Sequence, residues 1–578
     1  MSTPLSGTSA APAHIPTATF ELGSYQAAVD AQLQAFGTQN FTERFWQKDA
    51  TLWTQDAQAQ QSIRSFMGWL RVAEDLQQAV PDLEQFVAEV KAAGFSHVVV
   101  MGMGGSTMAP IVFRESAEQG PNGLNMLVLD TTDPGTIQEI EQAVPLAHTL
   151  FIVASKSGTT AEPLAFGDYF YARLKEIKGE RAGENFIGIT DPGTPFVATA
   201  EKLGYRRVFL NFPEVGGRFS ALTYFGLVPA ALYGLDVREI LTRALHMMRA
   251  CGANGPAENN PGEALGVALG VLAQAGHDKL TLLVPPSLSS LGLWMEQLVA
   301  ESTGKEGLGI LPIADEPLAS ADYGLDRVFV YVGYKGQSDA ANEQLIKQLR
   351  EKGHPIITIL MNDVLDLGQE FFRWEVATAV ASAVFGINPF DQPNVQAAKT
   401  ATDKLMKAVE EHGELPQQPA TLAENGLTFY ASHAGAAGSA AELVKDFFGQ
   451  AQAGDYLSVQ AYLTETPTVT GAIQQIRAAV LNSRHIATTA GYGPRFLHST
   501  GQYHKGGPNT GLFLQLTADN PNDLPLPGRS YTFGTLKNAQ AQGDLEALHH
   551  NGRRTLRVHL GADAAQGLQT LLALVPTR

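Results

Sequence analysis

Four short segments of this 578-residue chain hold the residue types that anion binding and acid–base chemistry need. The richest is Ser155-Lys156-Ser157-Gly158-Thr159-Thr160, with four hydroxyls in six residues and Glu162 close behind. It follows an apolar run at 149–154 that reads as a strand, and it leads into a helical pattern. Backbone N–H groups at a helix start, helped by hydroxyls, can surround the oxygens of a phosphate monoester. Helix capping accounts for one hydroxyl and not four, so the segment reads as a phosphate cradle.

The other three segments are weaker signals. Gly102-Met103-Gly104-Gly105-Ser106 lets main chain approach a ligand after a strand. It departs from the dinucleotide fingerprint and lacks an acidic ribose partner. Gly216-Gly217-Arg218-Phe219-Ser220 joins two glycines to a guanidinium suited to developing negative charge. In 294–305 an apolar helix runs to Glu301 and stops at Ser302-Thr303-Gly304. Partial burial there would raise the carboxyl towards neutrality and fit it for general-base work. A tight turn, a surface arginine and a solvated helix-end glutamate are the ordinary readings of these three, and none decides a function alone.

Positioning such residues falls to alternating strands and helices. A helical pattern covers 27–93, with Phe66, Leu70, Val72 and Leu76 at three- or four-residue spacing. Continuous apolar runs then mark buried parallel strands at 97–101, 125–130, 149–154, 186–190 and 207–210. A second set lies at 279–284, 327–332 and 355–361, followed by a long helix ahead of Gly386. A third falls at 427–431, 456–462, 511–517 and 555–560. The fold class is therefore α/β, with two doubly wound parallel sheets and an additional C-terminal α/β unit. The expected organisation is a disordered leader (1–26), a first domain (27–275), a second (276–412), a linker (413–425) and the C-terminal unit (426–578). Segments 97–115, 279–301 and 427–448 each pair a strand with a small-residue loop and a helix, a loose echo of a duplicated module.

Composition removes several classes of function. Forty Lys and Arg stand against 58 Asp and Glu, a net charge of −18, and no basic run offers a nucleic-acid footprint. The same balance disfavours an anionic membrane surface. Cys251 is the only cysteine, which excludes an intrachain disulfide and a cysteine-built zinc site and fits a reducing cytoplasm. The leader lacks a positive start and an apolar stretch, unlike a signal peptide.

The order of the segments MGMGGSTMAP, ASKSGTTAEP, GGRFS, EQLVAESTGK and GINPFDQPNVQAAK resembles that in phosphoglucose isomerases, across roughly 98–399. The tail with GPRFLHSTGQYHKGGPN resembles the isomerase half of fused transaldolase–isomerase proteins. The resemblance implies two sugar-isomerase (SIS) domains, usually a homodimer in the cytoplasm, and interconversion of glucose 6-phosphate and fructose 6-phosphate without metal or cofactor. It implies that Ser155, Ser157 and Thr160 hold the phosphate, with Lys156, Gly105, Ser106 and Gly217 nearby. Glu301 would carry the proton between C2 and C1, Arg218 would stabilise the enediolate, and Lys399 would serve the ring oxygen or O1 side.

Two departures stand out. Pro163 replaces a usual hydroxyl, and no histidine lies in 308–353 where the family carries its ring-opening residue. His354 would enter a strand from the wrong end. His498 is the candidate substitute, delivered by the third unit, and His504 is its rival. His485, His549 and His550 read as surface residues. In many family members the histidine crosses from a second subunit. Alternatives are an isomerase that also takes mannose 6-phosphate, and a non-catalytic sugar-phosphate sensor.

Overall fold

The computed structural model describes residues 15–252, 259–317, 322–432 and 437–576. Its first sheet is wholly parallel, in the order β3-β2-β4-β5-β6, with β2 His97–Met101, β3 Asn125–Leu129, β4 Thr149–Ala154, β5 Phe186–Thr190 and β6 Arg207–Leu210. All of β4 and β5 is buried, as expected for apolar runs covered by helices on both faces. Strand order reverses between β2 and β4. In open α/β sheets, ligands gather at the carboxyl ends of the strands beside such a reversal. The glycine loop follows β2 and the hydroxyl-rich loop follows β4.

A second sheet runs β1-β10-β9-β7-β8, from β1 Thr17–Glu21, β7 Lys279–Leu283, β8 Leu311–Ile313, β9 Arg327–Tyr334 and β10 Ile356–Met361. Its core is continuous with that of the first sheet. Helix Pro261–Gln274 sets Gly262, Gly266 and Gly270 against Val376, Val380 and Val384 of helix Leu367–Phe385, so the two axes approach closely.

The third sheet is mixed: β11 Leu422–Glu424, β12 Leu427–Ala431, β16 Arg554–His559, β15 Gly511–Thr517, β13 Tyr456–Tyr462 and β14 Ala487–Tyr492, in that spatial order. It has its own core. It also sends Leu526, Phe533 and Leu536 against the outer face of the first sheet, and Tyr456, Tyr503 and Phe513 against Leu311 and Ile313 of the second.

Several sequence expectations need correction. Thr17–Glu21 of the expected leader form a strand, because β1 adds antiparallel to β10; its half-exposed edge position explains a sequence too polar to read as a buried strand. The supposed linker contains β11, paired with β12. Strands β8 and β14 went unread: β8 spans three residues with a central proline, and β14 is built of Ala, Thr, Gly and Tyr. In the proposed echo, β2 and β7 are parallel to both neighbours, whereas β12 is antiparallel to both, so its third member is not equivalent. Part of that segment, 433–436, lies outside the described residues.

Candidate active site

A cavity of about 260 Å³ opens at the carboxyl ends of β2 and β4. Gly105, Ser106, Lys156 and Thr160 line it from the first unit, with Gly217 and Arg218 beside them. Glu301 and Lys399 enter from the second and His498 from the third. Of the residues singled out from sequence, Ser155 and Ser157 stand apart from this lining.

The glycine loop shows why no side chain is tolerated there. A Cβ on Gly105 would sit 1.8 Å from the carbonyl oxygen of Gly217, so the two loops touch main chain to main chain. Gly104 has φ +54°, and a Cβ on it would meet the Gln297 amide at 2.8 Å and the His498 carbonyl at 3.1 Å. Three separate pieces of chain converge on these two positions.

Fewer side chains of the hydroxyl loop face the cavity than its sequence suggests. Its turn closes with the Gly158 N–H donating to the Ser155 carbonyl at 3.2 Å, which rolls Ser157 out to solvent, where it pairs with Thr159 at 2.9 Å. Ser155 is buried and donates to the Thr160 hydroxyl at 3.2 Å, so it supports the cradle from behind. Lys156 lines the cavity while its ammonium pairs with Asp191 and donates to the Pro213 carbonyl at 3.0 Å.

Glu301 follows a π turn, Glu296–Ala300, set within a helix that begins at Leu291. Its buried carboxylate lies 3.3 Å from the Arg218 guanidinium and accepts from the Gln297 amide at 3.2 Å. Arg218 also donates to Ser302 Oγ at 2.7 Å, to Gln392 Oε1 at 3.1 Å, and to the carbonyls of Pro389 and Asp391 at 2.5 and 3.0 Å. Burial lowers its proton affinity while the charges of Glu301 and Asp391 oppose that effect. Lys305, one turn beyond Glu301, donates to the carbonyls of Asn388 and Asp391 and to the Asp391 carboxylate at 2.7 Å. Burial, then the Arg218 charge, pushes its pKa down to about 8.

His498 sits in a short turn, Arg495–His498, ahead of helix Gly501–Gly506. Its Nε2 lies 3.1 Å from Oε1 of Glu162. An ionised carboxylate only accepts, so Nε2 carries the proton and Nδ1 is the nitrogen left for other work. Burial alone would raise the Glu162 carboxyl, but the charge and hydrogen bond of His498, with the Lys399 charge beyond, hold it below its ordinary value. His504, the rival, is buried among Tyr456, Phe496 and Phe513, away from the cavity, and burial keeps it neutral. His354 packs on Phe329 with its pKa pushed down to about 4, chiefly by burial. His485, His549 and His550 are exposed.

Sequence reasoning passed over Gln297, Gln392, Lys305 and Gln540. Gln297 was within reach, since it lies four residues before Glu301 on the same helix and shares its face; Lys305 lies just past the helix end at Thr303. Gln392 sits in the FDQPN segment already noted. Gln540, which donates to Glu162 at 2.7 Å, comes from 378 residues away and had no local signal.

With this arrangement described, the chain's relatives can be placed. Residues 72–310 match the phosphoglucose isomerase family. That span holds the glycine loop, the hydroxyl loop, Arg218 and Glu301, and ends before Lys399 and His498. The chain is 27% identical to a glucose-6-phosphate isomerase of Carboxydothermus hydrogenoformans, over 57% of this chain and 82% of the relative. It is 28% identical to a glucose-6-phosphate isomerase of Rubrobacter xylanophilus, over 58% and 88%. Among solved structures, a hypothetical protein from Thermus thermophilus shares the fold with a TM-score of 0.57 at 23% identity, covering 67% of this chain and all of that one. A glucose-6-phosphate isomerase from Chlamydia trachomatis gives a TM-score of 0.50 at 20% identity, over 58% and 74%.

Proposed function

We propose that the protein is a glucose-6-phosphate isomerase, an aldose–ketose isomerase that interconverts glucose 6-phosphate and fructose 6-phosphate through a cis-enediolate. The observation that carries this reading is the Glu301–Arg218 pair, 3.3 Å apart and buried, facing one cavity with the glycine and hydroxyl loops. A carboxylate there can remove the proton from C2 of the open sugar and return it to C1. A fixed guanidinium beside it can hold the enediolate oxygen without titrating.

The remaining residues fall into supporting roles. Ser106, Thr160 and the main chain at Gly104–Gly105 bind the unreacted phosphate, whose grip orients the sugar. His498, with Nε2 fixed on Glu162, exchanges a proton at the ring oxygen through Nδ1, and Lys399 serves the O1 side. The same reading makes this a cytoplasmic homodimer of central sugar-phosphate metabolism, close to the isomerase half of transaldolase–isomerase fusions. Among the described residues, no helix is long and apolar enough to cross a membrane.

Purified protein given fructose 6-phosphate in the presence of EDTA tests the reading. Formation of glucose 6-phosphate at about 1–10³ turnovers per second is the expected result. Binding of the sugar phosphate without turnover would make it a sensor instead.

A further inference from the structure

The first two units do not close the cavity by themselves. One wall is the 495–498 turn, which packs against Gly104 of the glycine loop and whose His498 carbonyl accepts from the Gln297 amide at 3.0 Å. Behind Glu162 lies helix Phe533–His550, where Gln540 donates to Oε1 at 2.7 Å and accepts from Thr132 Oγ1 at 2.8 Å. Both elements belong to the third unit of the same chain.

We propose that the third unit is a catalytic lobe which completes the site within one chain, bringing His498 to the cavity and Gln540 to Glu162 as a positioning residue. The proposal rests on the isomerase reading above. Three attachments hold this docking in place, the first of them buried on both sides. One turn before Gln540, Lys537 pairs with Asp133 at 2.7 Å, both side chains almost wholly buried. Arg495 holds Asp130 through two contacts, at 2.6 and 2.8 Å. Gln502 donates to the Gly304 carbonyl at 2.9 Å and accepts from the Asn394 N–H at 2.9 Å, so it touches both the end of the Glu301 helix and the approach to Lys399. Separating the unit from the first sheet would leave Lys537 and Asp133 without their charge partners.

Gln540 does not line the cavity, so its effect must pass through Glu162. It donates to the oxygen that also accepts from His498, and its own carbonyl is pinned by Thr132. The carboxylate is thereby held at one angle to the imidazole, and the imidazole at one angle to the cavity.

Two inactive full-length variants, Glu301→Gln and His498→Ala, carrying different tags and co-expressed, separate the arrangements. Sites built within one chain leave the doubly purified mixed species as inactive as its parents. Sites shared across a two-fold dimer restore about half of wild-type activity in that species, which would overturn the proposal. Should no mixed species be recovered, wild-type protein diluted from micromolar to nanomolar and sized alongside decides the matter: an active monomer supports the proposal, and a folded but inactive monomer overturns it. For Gln540→Leu the expected result is a kcat lower by about tenfold with KM unchanged. A fall in melting temperature alone, with kcat intact, would refute the positioning role. An inactive wild-type protein would instead refute the isomerase reading.

Discussion

Arg218 is buried, yet it has donors placed on Ser302, Gln392 and two carbonyls, and it faces Glu301. This fork geometry is beyond a lysine, whose ammonium is a point charge, so Arg218→Lys is expected to lose about 10²-fold or more in kcat. Steady-state kinetics on fructose 6-phosphate checks this. Lys305 makes a pH prediction. Its ammonium fastens Asp391 and Asn388, the loop that cups Arg218, and it titrates at about 8 where an ordinary lysine stands at 10.5. Activity is expected to fall above about pH 8, and Lys305→Met is expected to lack that alkaline limb. The stability effect has the opposite sign: between about 8 and 10.5 the unfolded chain still holds the proton that the folded chain has released, so this residue adds stability as pH rises. A urea midpoint measured across the window separates lost activity from unfolding.

The π turn at Glu296–Ala300 gives successive residues to different surroundings. Gln297 and Glu301 face the cavity, while Glu296 lines a separate recess with Arg477 and Ser290. Burial pushes the Glu296 carboxyl up to about 8, against the Arg477 charge. The unfolded chain releases this proton near 4.5 while the folded chain keeps it to about 8, so stability falls with rising pH across that interval. Glu296→Gln removes the cost and is expected to raise the melting temperature at pH 8 by on the order of 2 °C or more, with little change at pH 4.5. Scanning calorimetry at both values checks it. At this scale the sequence was legible where strands are buried on both faces, as in β4 and β5, because covered strands must be apolar throughout. It was opaque for β1, β8 and β14, whose places at sheet edges, short spans or small residues leave no such signature. Likewise four hydroxyls in six residues suggested an anion cradle, but their count could not say that Ser157 turns outward.

Across the whole molecule, the site and its supports are assembled from residues as distant as Gly104 and Gln540, and the third unit is fastened by the buried Lys537–Asp133 pair and the part-buried Arg495–Asp130 pair. Lys537→Met would leave Asp133 buried without its cation, at a cost of about 3 kcal/mol. Calorimetry is expected to show an earlier transition for the third unit in this variant. Histidine order shows what sequence could and could not tell. The absence of a histidine in 308–353 was visible, and the surroundings of His498 pointed to a substitute. That His498 and not His504 lines the cavity needed the fold, which seals His504 among aromatic rings. Under the proposed function Glu301 moves a proton on a hexose 6-phosphate. The rate of glucose 6-phosphate formation from fructose 6-phosphate in wild type and in Glu301→Gln, with sugar-phosphate binding measured alongside, tests this. A loss of about 10³-fold or more with binding retained is the expected result. A variant that turns over at the wild-type rate would contradict it.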